Sequence, residues 1–198
     1  MDSDGYLSQL AGIFDGITVL TPSISAIIAI VLAGVLLLAS GFASASEIAF
    51  FSLSPSDRND IDERNHPSDE KISALLGDSE RLLATILITN NFVNVTIIML
   101  CNFFFMNVFI FHSPLAEFLI LTVILTFLLL LFGEIMPKIY SAQKTLAFCR
   151  FSAPGIYYLE KIFRPVATVL VRSTAFLNKH FAKKSHNISV DELSHALE

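Results

Sequence analysis

The sequence predicts an all-α integral membrane domain with three transmembrane helices, followed by amphipathic helices at the membrane surface. Hydrophobic residues make up 54% and charged residues 16% of the 198-residue chain, whereas a soluble domain carries roughly 25% charged residues. Three long apolar runs, 23–53, 82–111 and 115–138, each exceed the about 20 residues with which a helix crosses a bilayer. The second run contains no charged residue, which argues strongly against a buried helix in a small soluble core.

Basic residues set the expected orientation. The first 22 residues and the connection 112–114 contain no Lys or Arg, whereas all 13 basic residues lie between the first two spans or from Lys138, the last residue of the third run, onward. The positive-inside rule therefore places segment 1–22 on the extracytoplasmic side and the C-terminus in the cytoplasm of a multi-pass inner-membrane protein. Because Asp2 and Asp4 make the start acidic, a cleaved signal peptide is not expected, and the first span should be a retained anchor.

The segment 145–181 is apolar but interrupted by charges and by Pro154 and Pro165. We expect it to form amphipathic belt helices on the cytoplasmic face, completing a transmembrane domain over 23–181; a cytoplasmic core helix is the alternative. The final stretch, 182–198, is predicted to be a polar linker and the start of a new helix, which Ser189 would cap. That helix is expected to lead into a soluble domain beyond the chain.

Polar residues within the spans are the informative ones, because lipid makes them costly. Asn90 and Asn94 are four residues apart in the second span and so share a helix face. In the first span Ser44 and Ser46 precede Glu47. The third span ends in a segment that combines a glycine, an acid and a helix breaker, Gly133-Glu134-Ile135-Met136-Pro137-Lys138.

The spacing of Gly133 and Pro137 predicts a free carbonyl. In an α-helix the Gly133 oxygen would accept from the N–H of residue 137, which proline lacks. Together with the Glu134 carboxylate, the two Asn carboxamides and the Ser44 hydroxyl, that carbonyl would form an all-oxygen cluster. Such a cluster suits a hard cation, namely Mg²⁺, Ca²⁺ or Na⁺, and does not suit zinc or copper.

Purely structural interpretations of the same residues, without ion binding, stay open. Each Asn can simply form a hydrogen bond that stabilises the packing of two helices. Glu134 can form a plain ion pair with Lys138, four residues on. Glu47 can cap its helix or pair with Arg58 or Arg81, and Pro137 can be a simple kink.

The composition also limits the class of protein. A net charge of −5 provides no basic field for phosphates, so the expected partner is the lipid bilayer and not nucleic acid. Cys101 and Cys149 lie in apolar surroundings and are expected to be buried without a disulfide. The sequence has no nucleophile–base pair, no Gly-rich phosphate loop and no His cluster, so an enzyme is not expected.

Three segments resemble one known family in order and spacing. Gly41–Ser52 resembles the "FFSAAETAL" stretch of the CorC/cyclin-M (CNNM) magnesium transporters, and Leu82–Asn94 resembles their "LLxTILIGNNLVN" stretch. Phe132–Lys138 resembles their "GEILPK". Ala43, Thr89 and Met136 depart from these patterns, but none of the three changes removes an oxygen ligand.

The resemblance implies three transmembrane helices, juxtamembrane belt helices and a homodimer. It implies Mg²⁺ export, with Na⁺ as the coupling ion, through a site built from Ser44, Asn90, Asn94, Gly133 and Glu134. Ser46, Glu47 and Lys138 are secondary candidates. The tail resembles the family's lead into paired CBS domains, and also the gliding-motility-associated GldE branch. That branch suggests an alternative function, a membrane scaffold of a motility or secretion machine with motility-complex partners and a structural ion site.

Overall fold

Three long helices and a fourth, C-terminal helix organise the chain, for which a computed structural model describes residues 18–111 and 113–195. The first half comprises β1 (Thr18–Val19), α1 (Ile24–Phe51), α2 (Pro55–Asp62), α3 (Asp69–Leu76), α4 (Ser79–Val108) and β2 (Phe109–Ile110). The second half comprises α5 (Pro114–Phe118), a π-helical segment (Leu119–Ile124), α6 (Leu125–Leu130), a second π-helical segment (Leu131–Ile135), α7 (Met136–Gln143) and α8 (Thr145–His195). Most of the predicted segment 1–22 lies outside the described residues.

The prediction of an all-α membrane domain with three spans is confirmed. Three helices are long and apolar enough to cross a membrane, Ile24–Phe51, Ser79–Val108 and Leu121–Gln143. Large apolar side chains such as Leu38, Met99 and Phe127 are more than half exposed, as expected for surfaces whose solvent is lipid. The chain is therefore a multi-pass membrane protein.

Caps define where the helices begin. The Ser23 hydroxyl accepts a hydrogen bond from the Ala26 N–H at 3.2 Å and starts α1. Ser54 and Asp57 form a reciprocal capping box around Pro55 at the start of α2, and Asp78 accepts from the Arg81 N–H to start α4. These side chains satisfy N–H groups that a helix start otherwise leaves unpaired.

The second span is shorter than predicted at its C-terminal end. α4 ends at Val108, and the next residues form a short antiparallel ribbon in which Thr18 pairs with Ile110 and Val19 with Phe109. The Leu20 N–H also donates to the Val108 carbonyl at 2.7 Å. This ribbon satisfies backbone groups at the helix end that apolar composition alone cannot reveal.

The segment after the third span also differs from the prediction. Instead of several belt helices and a linker, it forms the single helix α8, which contains Pro154 and Pro165 and runs through 182–195. A proline inside a helix removes one hydrogen bond and crowds the preceding turn. Burial of Cys149, Ala153 and Ile156 on one face of α8 offsets that cost around Pro154.

The helices of the loop between spans one and two pack on α8. Ile61, Ile72, Leu75 and Ile156 form part of one buried cluster with the ends of α1 and α4. Cys101 and Cys149 are buried free thiols, as predicted, and burial raises the pKa of the Cys149 thiol to about 12. The beginning of α8 therefore belongs to a packed core.

A buried ion pair joins α3 to α8. Asp69, at the start of α3, is fully buried and receives Arg150 Nε at 2.8 Å and Nη2 at 3.0 Å. Burial by itself raises the pKa of this carboxyl, but hydrogen bonds from Arg150 and the His66 N–H, with the Arg150 charge, lower it below its ordinary value overall. The pair ties the loop to α8 by a bidentate contact.

Candidate cation site between the three spans

Ser40 of α1 is the centre of a polar cluster between the first two spans. Its hydroxyl lies 2.8 Å from Asn90 Oδ1 and 2.6 Å from Asn94 Oδ1, and its one hydrogen is shared between these two acceptors. One turn further along α1, the Ser44 hydroxyl lies 3.4 Å from the same Asn90 oxygen. Both serines are fully buried, so the hydroxyls have been removed from water and depend on these partners.

Glu134 completes the cluster from the third span. Its Oε1 accepts from Asn90 Nδ2 at 3.2 Å and from Asn94 Nδ2 at 3.3 Å. The carboxylate is half-buried, as are both asparagines. Four of the five predicted ligand residues, Ser44, Asn90, Asn94 and Glu134, therefore share one hydrogen-bonded network in which each transmembrane span takes part.

Helical spacing explains why these side chains meet. Ser40 and Ser44 are one turn apart on α1, and Asn90 and Asn94 are one turn apart on α4. Residues four apart lie on one face of a helix, so each span presents a pair of polar groups, and the two pairs face each other. Asn91, which the same rule directs elsewhere, is exposed.

Gly133, the fifth predicted residue, lets the third span approach α1. It is buried, and a Cβ at this position would lie 3.2 Å from Ser40 Oγ and 3.4 Å from Leu37 Cδ1. A Cβ on Gly41 of α1 would in turn lie 3.0 Å from Pro137 Cγ. Two glycines on opposite helices thus permit the close contact that brings Glu134 to the asparagines.

Residues 131–135 form a π-helical turn, in which the Met136 N–H donates to the Leu131 carbonyl, five residues back. Pro137 follows in α7 and has no N–H to donate, so the free Gly133 carbonyl stays a prediction. Single π turns occur frequently at functional sites, and here the turn carries both Gly133 and Glu134.

The secondary candidates lie outside the network. The Ser46 hydroxyl donates to the Phe42 carbonyl of its own helix at 2.6 Å. Lys138 Nζ lies 3.0 Å from Glu47 Oε2, so the alternative pairing of Lys138 with Glu134 is wrong, as is the pairing of Glu47 with Arg58 or Arg81. Pro137 stands at the start of α7, directly after the π turn.

Sequence reasoning missed Ser40, although the structure makes it the residue with the shortest contacts to both asparagines. A signal existed, because Ser40 precedes Ser44 by one helical turn. Once Asn90 and Asn94 are read as a facing pair on one span, a matching pair of hydroxyls on another span is the pattern to seek.

The cluster offers oxygen chemistry with a single negative charge. It contains one carboxylate, two carboxamides and two hydroxyls, and no sulfur or imidazole. Within residues 18–111 and 113–195, no group of three or more His, Cys, Asp or Glu side chains is placed to hold a metal. A cation here would therefore be bound mainly by neutral oxygens, a ligand set suited to hard ions.

Comparison with known proteins agrees with this architecture. The family described as "Cyclin M transmembrane N-terminal domain" matches residues 23–198. A "UPF0053 protein" of Haemophilus influenzae is 31% identical over 134 residues, which cover 68% of this chain and 31% of that protein. The chain thus spans about a third of the length of this relative. The chain belongs to the cyclin M (CNNM) transmembrane domain family, which is generally linked to divalent cation transport or to functions associated with transport.

Proposed function

We propose that the domain transports Mg²⁺ across the inner membrane, in the direction of export, with Na⁺ as the coupling ion. The observation that carries the proposal is the meeting of Ser40, Ser44, Asn90, Asn94 and Glu134 between three spans. Ionisable and polar residues within membrane spans are costly and mark ion or substrate pathways. The family match supports transport of a divalent cation in particular.

The ligand types favour Mg²⁺ among divalent metals. Mg²⁺ takes near-octahedral oxygen ligands at about 2.0–2.1 Å and commonly retains water. With the ion beside Glu134, the carboxylate and the two carboxamide oxygens would supply three ligands, and water would complete the six. A single carboxylate leaves the bound ion with excess positive charge, and this favours release, which transport requires.

Cation binding requires the side-chain carboxamides of Asn90 and Asn94 to rotate. In the structure their carboxamide oxygens face Ser40, and their nitrogens face Glu134. A cation at Glu134 needs the oxygens, so each carboxamide rotates by a half turn about a terminal torsion that has broad, two-fold preferences. Ser40 suits both states, because a hydroxyl can donate to Oδ1 in one state and accept from Nδ2 in the other.

The oxygen ligands of the site account for coupling to Na⁺, and the basic residues account for the orientation in the membrane. Na⁺ is also a hard cation and would compete for the same oxygens, so opposite occupancy on the two sides of the membrane links the two fluxes. Basic residues in the loop between the first two spans and in α8 support a cytoplasmic location for both. The functional unit is proposed to be a homodimer within the membrane, continued by CBS domains.

Flux measurements in proteoliposomes test the proposal. The wild-type chain should move Mg²⁺ down an imposed gradient, and Glu134→Gln should abolish this flux while leaving the protein folded. Ser46→Ala is the matched control, because its hydroxyl contacts only its own helix. Full flux in Glu134→Gln would overturn the site, and a wild-type chain without flux would favour the scaffold of a motility machine.

A further inference from the structure

Two carboxylates compete for the ammonium of Lys138. Glu134 lies four residues earlier in the same span, a spacing that brings side chains of a helix together. Glu47 belongs to the first span, and its Oε2 lies 3.0 Å from Lys138 Nζ. In the structure the Lys138 ammonium forms an ion pair with Glu47. Glu134 instead accepts hydrogen bonds from the carboxamide N–H groups of Asn90 and Asn94.

The choice between these partners determines whether Glu134 can bind an ion. Lysine carries a compact charge with three donors, and opposite charges in contact attract strongly where little water is present. A tethered ammonium also has a high effective concentration at its neighbour. Lys138 would therefore occupy the only carboxylate of the candidate site if no other acid held it.

We propose that Glu47 is a positioning residue, which holds Lys138 away from Glu134 and so keeps that carboxylate free for a divalent cation. The inference rests on the proposed function and extends it to a residue outside the ligand set. Glu47 acts here through Lys138 and does not itself contact the ion.

The packing of α1 against α7 fixes this arrangement. The Ser141 hydroxyl donates to the Ala45 carbonyl at 2.7 Å in a fully buried contact, and Gly41 lies directly against Pro137. These two contacts set the register of the helices, and in that register Glu47 faces Lys138. Both charged side chains are mostly shielded, with 26% and 33% of their surfaces exposed, which strengthens the pair relative to one in open water.

Carbodiimide cross-linking of the full chain reports the partner of Lys138 directly, because the reagent joins a carboxylate and an amine in contact as an amide, with loss of water. Mass spectrometry of the wild type should find the link between Glu47 and Lys138. In Glu47→Gln the link should move to Glu134 and Lys138, and added Mn²⁺ should suppress it. Glu117→Gln, which removes an acid from the other end of the third span, should leave the wild-type link unchanged.

Mn²⁺ binding, followed by electron paramagnetic resonance, supplies the functional readout. Glu47→Gln should bind Mn²⁺ roughly tenfold more weakly, because a contact between unit charges readily exceeds that factor. Glu47→Gln combined with Lys138→Gln should recover wild-type affinity. Since loss of one negative charge by itself weakens cation binding, the cross-link decides where the ammonium goes, and affinity shows the consequence.

The outcomes separate this inference from the proposed function. A wild type that binds Mn²⁺, with no link from Lys138 to Glu134 in Glu47→Gln, overturns the role of Glu47 alone. A wild type that binds no Mn²⁺ overturns the proposed function. Glu47→Met keeps the length of the side chain without its charge and carries the same expectation, so it decides the question if Glu47→Gln does not fold.

Discussion

The hydroxyl of Ser40 lies 2.6 Å from the carboxamide oxygen of Asn94, and this contact joins the first span to the second at the candidate site. The same hydroxyl reaches Asn90 at 2.8 Å. One side chain on α1 therefore orients both carboxamides on α4, and through them the donors that face Glu134. The geometry assigns Ser40 a larger part than Ser44, whose hydroxyl lies 3.4 Å from Asn90.

Ser40→Ala should weaken Mg²⁺ binding by roughly tenfold, because a buried polar group that loses its partner costs about 1–3 kcal/mol. Isothermal titration of the purified protein with Mg²⁺ measures this. Ser46→Ala removes a hydroxyl six residues further along the same helix that makes only an internal helix contact, and it should bind as the wild type does. Equal affinity in Ser40→Ala and wild type would show that the hydroxyl does not orient the ligands.

Gly133→Ala should disrupt the site by steric contact. The new methyl would lie 3.2 Å from Ser40 Oγ and 3.4 Å from Leu37 Cδ1, so the third span must move outward or Ser40 must lose its position. We expect a destabilisation of about 1–3 kcal/mol, as is usual for overpacking, together with loss of Mg²⁺ flux.

Gly34 offers a matched control for that variant. It lies in the same helix as Ser40, but a Cβ there meets nothing within 4 Å, so Gly34→Ala should leave stability and flux unchanged or slightly raise stability. Thermal unfolding in detergent and proteoliposome flux measure both variants. Equal behaviour of Gly133→Ala and Gly34→Ala would contradict the close packing of the first and third spans.

Arg150→Gln should be strongly destabilising, because it leaves the fully buried Asp69 carboxylate without its cation. Removal of one partner from a buried pair typically costs about 3–5 kcal/mol. Arg164→Gln is the control, since Arg164 lies exposed on the same helix. Denaturant unfolding measures the difference, and combining Arg150→Gln with Asp69→Asn should recover part of the loss. A small effect of Arg150→Gln alone would contradict the pair.

The same pair predicts a pH dependence of stability. The pKa of Asp69 is lowered in the folded protein, so its contribution is fully present above the ordinary carboxyl pKa of about 3.9. That contribution is lost as the pH falls through the lowered value. The stability gap between wild type and Asp69→Asn should therefore stay constant from neutral pH to about pH 5 and shrink below about pH 4. A gap that shrinks between pH 7 and pH 5 would contradict the assignment.

Much of the architecture follows from sequence because its signals are local. The apolar runs fix the three spans, and the spacing of Asn90 and Asn94 fixes a shared face. Glu134 stands out in the sequence because an acid within a membrane span is costly.

The remaining features depend on contacts between distant segments. Ser40 gains importance only once α1 faces α4, and a serine in an apolar span has many other uses. The partner of Lys138 depends on the register of α1 against α7, which sequence spacing within one helix does not contain. The continuity of α8 through Pro154 is accompanied by burial of Cys149, Ala153 and Ile156 against other helices, which the sequence of α8 alone does not contain.

Anomalous diffraction from crystals grown with Mn²⁺ tests the central claim most directly, because it locates the ion without reference to transport. We expect one strong peak within about 2.5 Å of a Glu134 carboxylate oxygen, with the carboxamide oxygens of Asn90 and Asn94 turned toward it. A peak elsewhere, or a Glu134 carboxylate that still accepts both carboxamide N–H groups at saturating Mn²⁺, would contradict the account.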